Sequence, residues 1–171
     1  MNPTPLERAL RGAPDRASAQ AARPEREFFF FRVDSLVLGV SSDAVREVIR
    51  LGPLTPLPRM AAFVLGVVGH RGEVLPVIDL LRFLGHGELH PSPRARLFVG
   101  LAGTWSAAFL ADEVMGLVKV PVEDILPPPV GAQLAGDQVL GIYRRPDDTR
   151  TATLLDLSRV FVAARQRAVV R

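Results

Sequence analysis

The sequence VLGVVGHRGEVLPVIDLLRF, residues 64–83, decides the fold of this chain. Two apolar runs flank the polar residues 70–73, where Gly72 can supply the positive φ that a tight turn often needs. Asp79 follows the second run and can cap the free N–H groups at the start of a helix. The stretch therefore predicts a largely buried β-hairpin with a charged tip, followed directly by a short helix.

A second copy of this pattern lies further along the chain. Gly66 and Asp79 recur as Gly141 and Asp156, each in the same apolar context. The segments upstream of the two hairpins also resemble each other, as LGVSSDAVREVI and AAFLADEVMGLV. The two copies of the hairpin are thus 75 to 77 residues apart. Self-similarity at this period predicts two similar lobes rather than a solenoid of short repeats. Chance agreement between short aliphatic motifs is the alternative.

The composition favours a folded unit with an aliphatic core. Of the 171 residues, 48% are hydrophobic but only 6% are aromatic, and there is no cysteine for a disulfide or for thiol chemistry. The longest uncharged apolar run is too short to cross a bilayer, and the N-terminus lacks the apolar segment of a secretory signal. These features predict a cytoplasmic protein without direct membrane insertion. Residues 1–26 are predicted to form a disordered basic arm, and residues 162–171 a C-terminal tail. The segment from Arg159 to Arg171 is predicted to be either a short helix or a frayed tail.

The excess positive charge lies at the two ends of the chain. The net charge is +3, but residues 27–158 hold 12 basic and 15 acidic residues. A domain that neutralises phosphates keeps its basic side chains on a folded face. A small-barrel nucleic-acid-binding protein is therefore only the alternative of a different class, and we expect no nucleic acid among the partners.

The first ordered segments combine apolar strands with one predicted helix. Residues 28–31 are four phenylalanines, and alternate ones must enter the core and either the gap between the lobes or a partner's surface. Ser42 offers a helix cap, and Val45, Val48 and Ile49 recur at the spacing of one helical face. We therefore expect a short helix after Ser42 whose apolar face packs on the first lobe.

Nothing in the sequence favours catalysis. The two histidines of GHGELHPSP, the predicted linker at residues 85–93, flank a glutamate, but the glycine and prolines break any helix that would align them as metal ligands. No nucleophile elbow, phosphate-binding loop, zinc-protease or dinucleotide motif appears. Asp79 and Asp156 form a tempting carboxylate pair, but their equivalent positions favour helix capping. The sequence predicts no enzyme, no cofactor and no metal.

The hairpin sequence resembles the central motif of the CheW-like domain of bacterial chemotaxis coupling proteins. That motif reads roughly G-V-x-N-L-R-G-x-x-h-P-h-h-D-L, with h apolar, and residues 66–80 read GVVGHRGEVLPVIDL. Gly69 and His70 stand where the family usually has asparagine and leucine. The resemblance extends over about residues 27–161 and includes the upstream VREV and the downstream VPVEDILPPP.

The resemblance implies a mainly β fold with two SH3-like five-stranded β-barrels, related by a pseudo-two-fold, and a few short helices. Within a CheW-like domain of residues 27–161, we expect lobe one at about 27–85 together with a terminal element. Lobe two is expected at about 94–158.

The resemblance also implies a non-enzymatic adaptor that couples chemoreceptors to a CheA-type histidine kinase. The implied partners are the regulatory domain of the kinase, the helical tip of a methyl-accepting chemotaxis receptor, and further CheW-like domains through self-association. The protein would be recruited to receptor arrays at the membrane or to cytoplasmic receptor clusters. A divergent relative that binds only one of these partners, or another partner, is the alternative.

By the same resemblance, the receptor contacts map onto five residues of this sequence: Val45, Glu47, Val48, His70 and Arg71. An arginine held at a hairpin tip can bond to a carboxylate or to a helix-terminal carbonyl, and a helical receptor tip offers both. If His70 lies near Arg71, its protonation below about pH 6.5 would change the local charge.

Overall fold

The computed structural model describes residues 23–132, 136–146 and 150–169. These residues form ten strands, two α-helices and single 3₁₀ turns at Ser42–Ala44 and Val122–Asp124. The strands are β1 (Glu25–Val33), β2 (Leu36–Ser41), β3 (Val45–Arg50), β4 (Val64–His70), β5 (Glu73–Ile78), β6 (Arg96–Ala102), β7 (Trp105–Ala111), β8 (Glu113–Pro121), β9 (Val139–Arg144) and β10 (Thr151–Leu155). The helices are α1 (Leu80–Phe83) and α2 (Leu157–Arg167).

The strands form two five-stranded sheets with matching strand order. The first sheet runs β8-β1-β2-β10-β9 and the second runs β3-β6-β7-β5-β4. The first sheet contains one parallel pair, β2 with β10, and the second sheet also contains one, β5 with β7. The other pairs are antiparallel. Every strand thus has a counterpart in the other sheet, in agreement with the internal repeat. The predicted fold class, mainly β with two five-stranded SH3-like barrels and few helices, is confirmed.

The two sheets do not follow the predicted lobe boundaries. A lobe at residues 27–85 would hold β1 to β5, but β1 and β2 join β8, β9 and β10 in the first sheet, and β3 to β7 form the second. Each sheet therefore contains strands from both halves of the chain. The reason is the parallel pairs, in which a strand of one half bonds to a strand of the other half. A sequence repeat identifies equivalent strands, but it does not decide which copy each strand pairs with.

The four consecutive phenylalanines divide between two apolar layers, as predicted. Phe28 and Phe30 pack inside the first barrel, whereas Phe29 and Phe31 lie between the two sheets. The rings of Phe29 and Phe31 have their centres 5.3 and 4.5 Å from that of Phe98 in β6. All four are at most 5% exposed, so the run joins the two barrels instead of contacting a partner.

The helix predicted after Ser42 is wrong, because one 3₁₀ turn leads directly into strand β3. The spacing of Val45 and Val48 fits a helical face, but a β-bulge produces the same relation. Val45 pairs with Gly100 and Val48 with Phe98, two residues apart on β6, while Arg46 is the extra, unpaired residue. The two valines therefore share a face in a bulged strand, and six residues are too few to separate the two periods.

Both predicted helix caps are confirmed. Asp79 caps α1 by accepting the N–H groups of Leu81 and Arg82 at 2.9 and 3.2 Å, and Asp156 caps α2 with one such bond. Asp79 is fully buried, and its second oxygen accepts the N–H of Leu89 at 3.0 Å. That bond ties the segment that follows α1 back to the start of the helix.

Of the two predictions for the C-terminal end, a short helix or a frayed tail, the helix is confirmed. Helix α2 runs to Arg167, whose guanidinium donates to the Phe83 carbonyl at 2.9 Å. The Ala61 N–H donates to the Ala168 carbonyl at 2.7 Å, and Phe161 packs edge-on against Phe109. The predicted tail is thus docked on the second sheet as far as residue 169, because α2 has an apolar face.

Residues 1–22, and with them most of the predicted basic arm, lie outside the described residues. Strand β1 already begins at Glu25, one residue before the predicted end of the arm at residue 26. Neither helix of the described chain has the length and hydropathy of a membrane span.

Each hairpin carries a glycine where an extended segment crosses it. Thr55 and Val67 exchange two backbone hydrogen bonds of 2.9 and 2.8 Å, and a Cβ on Gly66 would lie 2.5 Å from the Thr55 carbonyl oxygen. Gly141 has the same relation to Leu126, with a Cβ distance of 2.7 Å to its carbonyl oxygen. Close approach of two backbones therefore explains why glycine recurs at these equivalent positions.

We expect the substitution Gly66→Ala to lower the free energy of unfolding by about 1–3 kcal/mol, because the new methyl group would overlap backbone that is held by two hydrogen bonds. Urea unfolding followed by circular dichroism measures this change. Gly69→Ala is the matched control, since a Cβ there has no neighbour within 4 Å, and it should change stability by less than about 0.5 kcal/mol. Equal stability of Gly66→Ala and the wild type would contradict the crossing geometry.

Candidate functional site

The charged tip of the β4–β5 hairpin is held in an unusual backbone conformation. The turn residues Arg71 and Gly72 have φ values of 49° and 82°, and positive φ at both central residues is typical of a type I′ turn. The positive φ of Gly72 is as predicted, whereas that of Arg71 is not. An arginine in the left-handed region costs about 1–2 kcal/mol relative to the right-handed one, and the pairing of β4 with β5 holds Arg71 in this conformation.

Glu47 of β3 contacts three basic side chains at or beside this tip. Its Oε2 atom lies 3.1 Å from His70 Nε2 and 3.5 Å from Arg71 Nη2, and its Oε1 lies 3.4 Å from Arg46 Nε. The Glu47 side chain is 19% exposed and that of Arg71 is 76% exposed. The cluster therefore has a largely covered carboxylate at its base and an accessible guanidinium at its outer edge.

A second ion pair joins β3 to the same hairpin. Arg46 donates from Nη2 and Nη1 to the two carboxylate oxygens of Glu73, at 2.8 and 3.3 Å. Glu73 is the first residue of β5 and follows Gly72 directly. The hairpin tip is thus fixed to β3 on both sides of the turn.

The structure brings together three of the five predicted site residues, Glu47, His70 and Arg71, as one charged cluster. Val45 and Val48 lie on the same strand and share a face, but Val45 is half-buried against the core, whereas Val48 is 41% exposed. Val48 therefore supplies most of the apolar surface that a partner could cover there.

Sequence reasoning missed Arg46 and Glu73 as part of this cluster. Arg46 belongs to the segment that was interpreted as a helix, where it lies off the apolar face. The available signal was the opposite charge of Arg46, next to the predicted Glu47, and Glu73, two residues after the predicted Arg71. That signal is useful only once β3 is placed beside the hairpin.

A sequence model of the CheW-like domain matches residues 27–165. The chain belongs to the CheW-like domain family. Protein FrzA of Myxococcus xanthus is 55% identical over 159 residues, which cover 93% of this chain and 99% of that protein. Chemotaxis protein CheW of Rhizobium meliloti (strain 1021) is 36% identical over 104 residues, which cover 61% of this chain and 67% of that protein.

Among solved structures, the scaffolding protein TtCheW from Thermoanaerobacter tengcongensis has the same fold. The TM-score is 0.73 at 23% sequence identity, and the match covers 83% of this chain and 91% of that one. At this identity the likeness concerns the fold alone.

The ion pairs of this CheW-like protein shift the pKa values of its carboxylates. Partial burial by itself raises the pKa of Glu47, but its contacts with His70, Arg71 and Arg46 outweigh that effect and hold the pKa below its usual value. The hydrogen bonds from Arg46 likewise lower the pKa of Glu73, and they raise the pKa of Arg46. Both carboxylates are therefore ionised throughout the neutral range.

A group whose pKa is lower in the folded state stabilises the fold above its unfolded pKa, and this contribution is lost as the pH falls through the folded value. We therefore expect wild type to be slightly more stable than Glu73→Gln above about pH 4.3, the ordinary pKa of glutamate, because a half-exposed ion pair contributes little to stability. The difference should fade as the pH falls below that value. Urea midpoints of both proteins between pH 2.5 and 7 test this, and a difference that does not depend on pH would contradict the Arg46–Glu73 pair.

Proposed function

We propose that this chain is a non-enzymatic adaptor that couples chemoreceptors to a CheA-type histidine kinase. The match of residues 27–165 to the CheW-like domain carries the proposal. The 55% identity to FrzA over almost the full length of both proteins supports it. The charged cluster is built from ion pairs between strands, an arrangement that suits the presentation of a binding surface.

The proposed receptor site consists of Arg71, Glu47, His70 and Val48. A type I′ turn on a paired hairpin fixes the backbone of Arg71, so little backbone entropy is left to lose when its guanidinium binds. A receptor's helical tip offers carboxylates and helix-terminal carbonyls as acceptors for such a group. Val48, at 41% exposure, adds apolar contact beside the charges. The carboxylate of Glu47, 3.5 Å from Arg71 Nη2, orients the guanidinium of Arg71.

The kinase side of the adaptor is proposed from the family alone. CheW-like domains pair barrel-to-barrel with the regulatory domain of the kinase, and this chain has two barrels of the required kind. Recruitment of the protein to receptor arrays or receptor clusters would follow from simultaneous binding of both partners.

Co-sedimentation with purified partners tests the function. The full chain should bind a receptor cytoplasmic fragment and the kinase separately, and it should increase the amount of kinase that sediments with the receptor. Binding of only one partner would show that the chain is not an adaptor but a divergent relative that binds a single partner. Binding of neither, together with DNA retention on filters that falls steeply with salt, would instead favour the nucleic-acid alternative.

A further inference from the structure

We propose that Arg46 and Glu73 form a clamp, an ion pair that joins β3 to the hairpin and positions the receptor-binding tip. The inference rests on the proposed function, since it concerns how the Arg71 surface is held. Arg46 and Glu73 act through Arg71 and Glu47 and are thus positioning residues.

The clamp bridges two parts of the second barrel whose backbones do not pair. In the strand order β3-β6-β7-β5-β4, β3 and β4 are the two edges, and the described residues show no ladder between β3 and the β4–β5 hairpin. Side chains therefore fix the tip to β3. Of these contacts, the Arg46–Glu73 pair has two hydrogen bonds in the fork geometry that fixes orientation as well as distance.

A β-bulge aims Arg46 at the hairpin. Val45 pairs with Gly100 and Glu47 with Val99, so Arg46 is the inserted residue without a partner on β6. A bulge bends a strand locally and redirects a side chain, and such features are enriched at the rims of barrels and next to functional sites. In a regular strand the residue at this position would pair with β6. The bulge instead leaves Arg46 unpaired, and its side chain donates to Glu73 of the hairpin.

The first barrel has a bulge at the equivalent position, with a methionine in place of the arginine. Gly116 pairs with Phe30 and Val114 with Phe31, which leaves Met115 as the inserted residue of β8. Met115 accepts a 3.5 Å contact to its sulfur from Arg145, which directly follows β9. Among the described residues, the bulge residue therefore contacts the hairpin in both barrels, through Met115 and Arg145 in the first barrel and through the Arg46–Glu73 pair in the second.

The charge balance of the cluster depends on the clamp. Arg46 contacts both carboxylates, Glu73 and Glu47, and so reduces their mutual repulsion. Because Glu73 is occupied by Arg46, Glu47 is the carboxylate that faces Arg71 and His70. Without Arg46, Glu73 would be free to pair with Arg71 across the short turn and to compete with the receptor for it.

A mutant cycle separates positioning from folding. Arg46→Gln, Glu73→Gln and the double variant are compared with wild type for the dissociation constant of a receptor cytoplasmic fragment, that of the kinase regulatory domain, and the melting temperature. Each single variant should weaken receptor binding about 3- to 10-fold, and the double variant should bind no more weakly than the weaker single one, because both remove the same pair. Kinase affinity and melting temperature should change little, since half-exposed ion pairs contribute little to stability.

The control is Lys119→Gln, which removes a positive charge from an exposed position of β8 in the first barrel and should leave receptor affinity unchanged. Unchanged receptor affinity in both single variants would overturn the clamp while the adaptor function stands. Additive losses in the double variant, or equal losses of kinase affinity and melting temperature, would overturn it too, since either marks independent or purely structural roles. If wild type fails to bind the receptor fragment, the proposed function is wrong and the clamp with it.

Discussion

Replacing Arg71 by asparagine should weaken binding to a receptor tip by about 1–3 kcal/mol, or roughly 5- to 150-fold in the dissociation constant. The free energy of unfolding should stay the same or rise slightly. Arg71 has a φ of 49°, and asparagine tolerates this left-handed conformation better than arginine, particularly before a glycine. The substitution therefore removes the guanidinium and keeps the turn.

The comparison with Arg71→Ala makes this result specific. Alanine removes the same guanidinium and has the same Cβ strain at positive φ as arginine, so it should lose about as much receptor affinity but should not gain the stability expected for asparagine. Affinity is measured by titration calorimetry with a receptor cytoplasmic fragment, and kinase binding provides the control. If Arg71→Asn folds normally and still binds the receptor with wild-type affinity, Arg71 is a solvated turn residue and not a contact.

The largest loss of stability is expected for Asp79→Ala, at about 3–5 kcal/mol. The Asp79 carboxylate is fully buried and accepts the N–H groups of Leu81, Arg82 and Leu89, while Arg82 Nε lies 3.3 Å away. Its removal leaves these buried donors without acceptors. It also releases the segment that returns to the start of α1. Urea unfolding measures the loss directly.

Asp156→Ala is the matched control, because it removes the equivalent cap from the other helix. Asp156 accepts one backbone N–H, that of Arg159, and its side chain is 28% exposed. The expected cost is therefore that of an ordinary N-cap, about 1 kcal/mol. Similar losses for Asp79→Ala and Asp156→Ala would show that the additional bond to Leu89 does not stabilise the fold.

The features that the sequence predicted correctly are those that depend on neighbouring residues or on the repeat. The turn glycine Gly72 and the helix caps Asp79 and Asp156 follow from local chemistry. The division of Phe28 and its three neighbours between two faces follows from strand geometry, whereas the choice between the gap between the lobes and a partner's surface was left open. The mainly β class followed from the family resemblance and the repeated hairpin.

The features that it missed depend on which distant strands pair. The lobe boundaries differ because β2 pairs with β10 and β5 with β7, across the two halves of the chain. The segment after Ser42 was predicted to be helical because the bulge at Arg46 gives Val45 and Val48 a helix-like spacing. The Arg46–Glu73 pair joins residues 27 positions apart, and only the placement of β3 beside the hairpin reveals it.

The central claim is that the hairpin tip and β3 of the second barrel form the receptor-binding surface. Amide chemical shifts of the isotope-labelled chain, recorded during titration with a receptor's helical tip, test it most directly. We predict that the largest changes occur at residues 45–50 and 69–73, and that strands β9 and β10 of the first barrel change little. Changes confined to the first barrel, with residues 69–73 unaffected at saturation, would contradict the account.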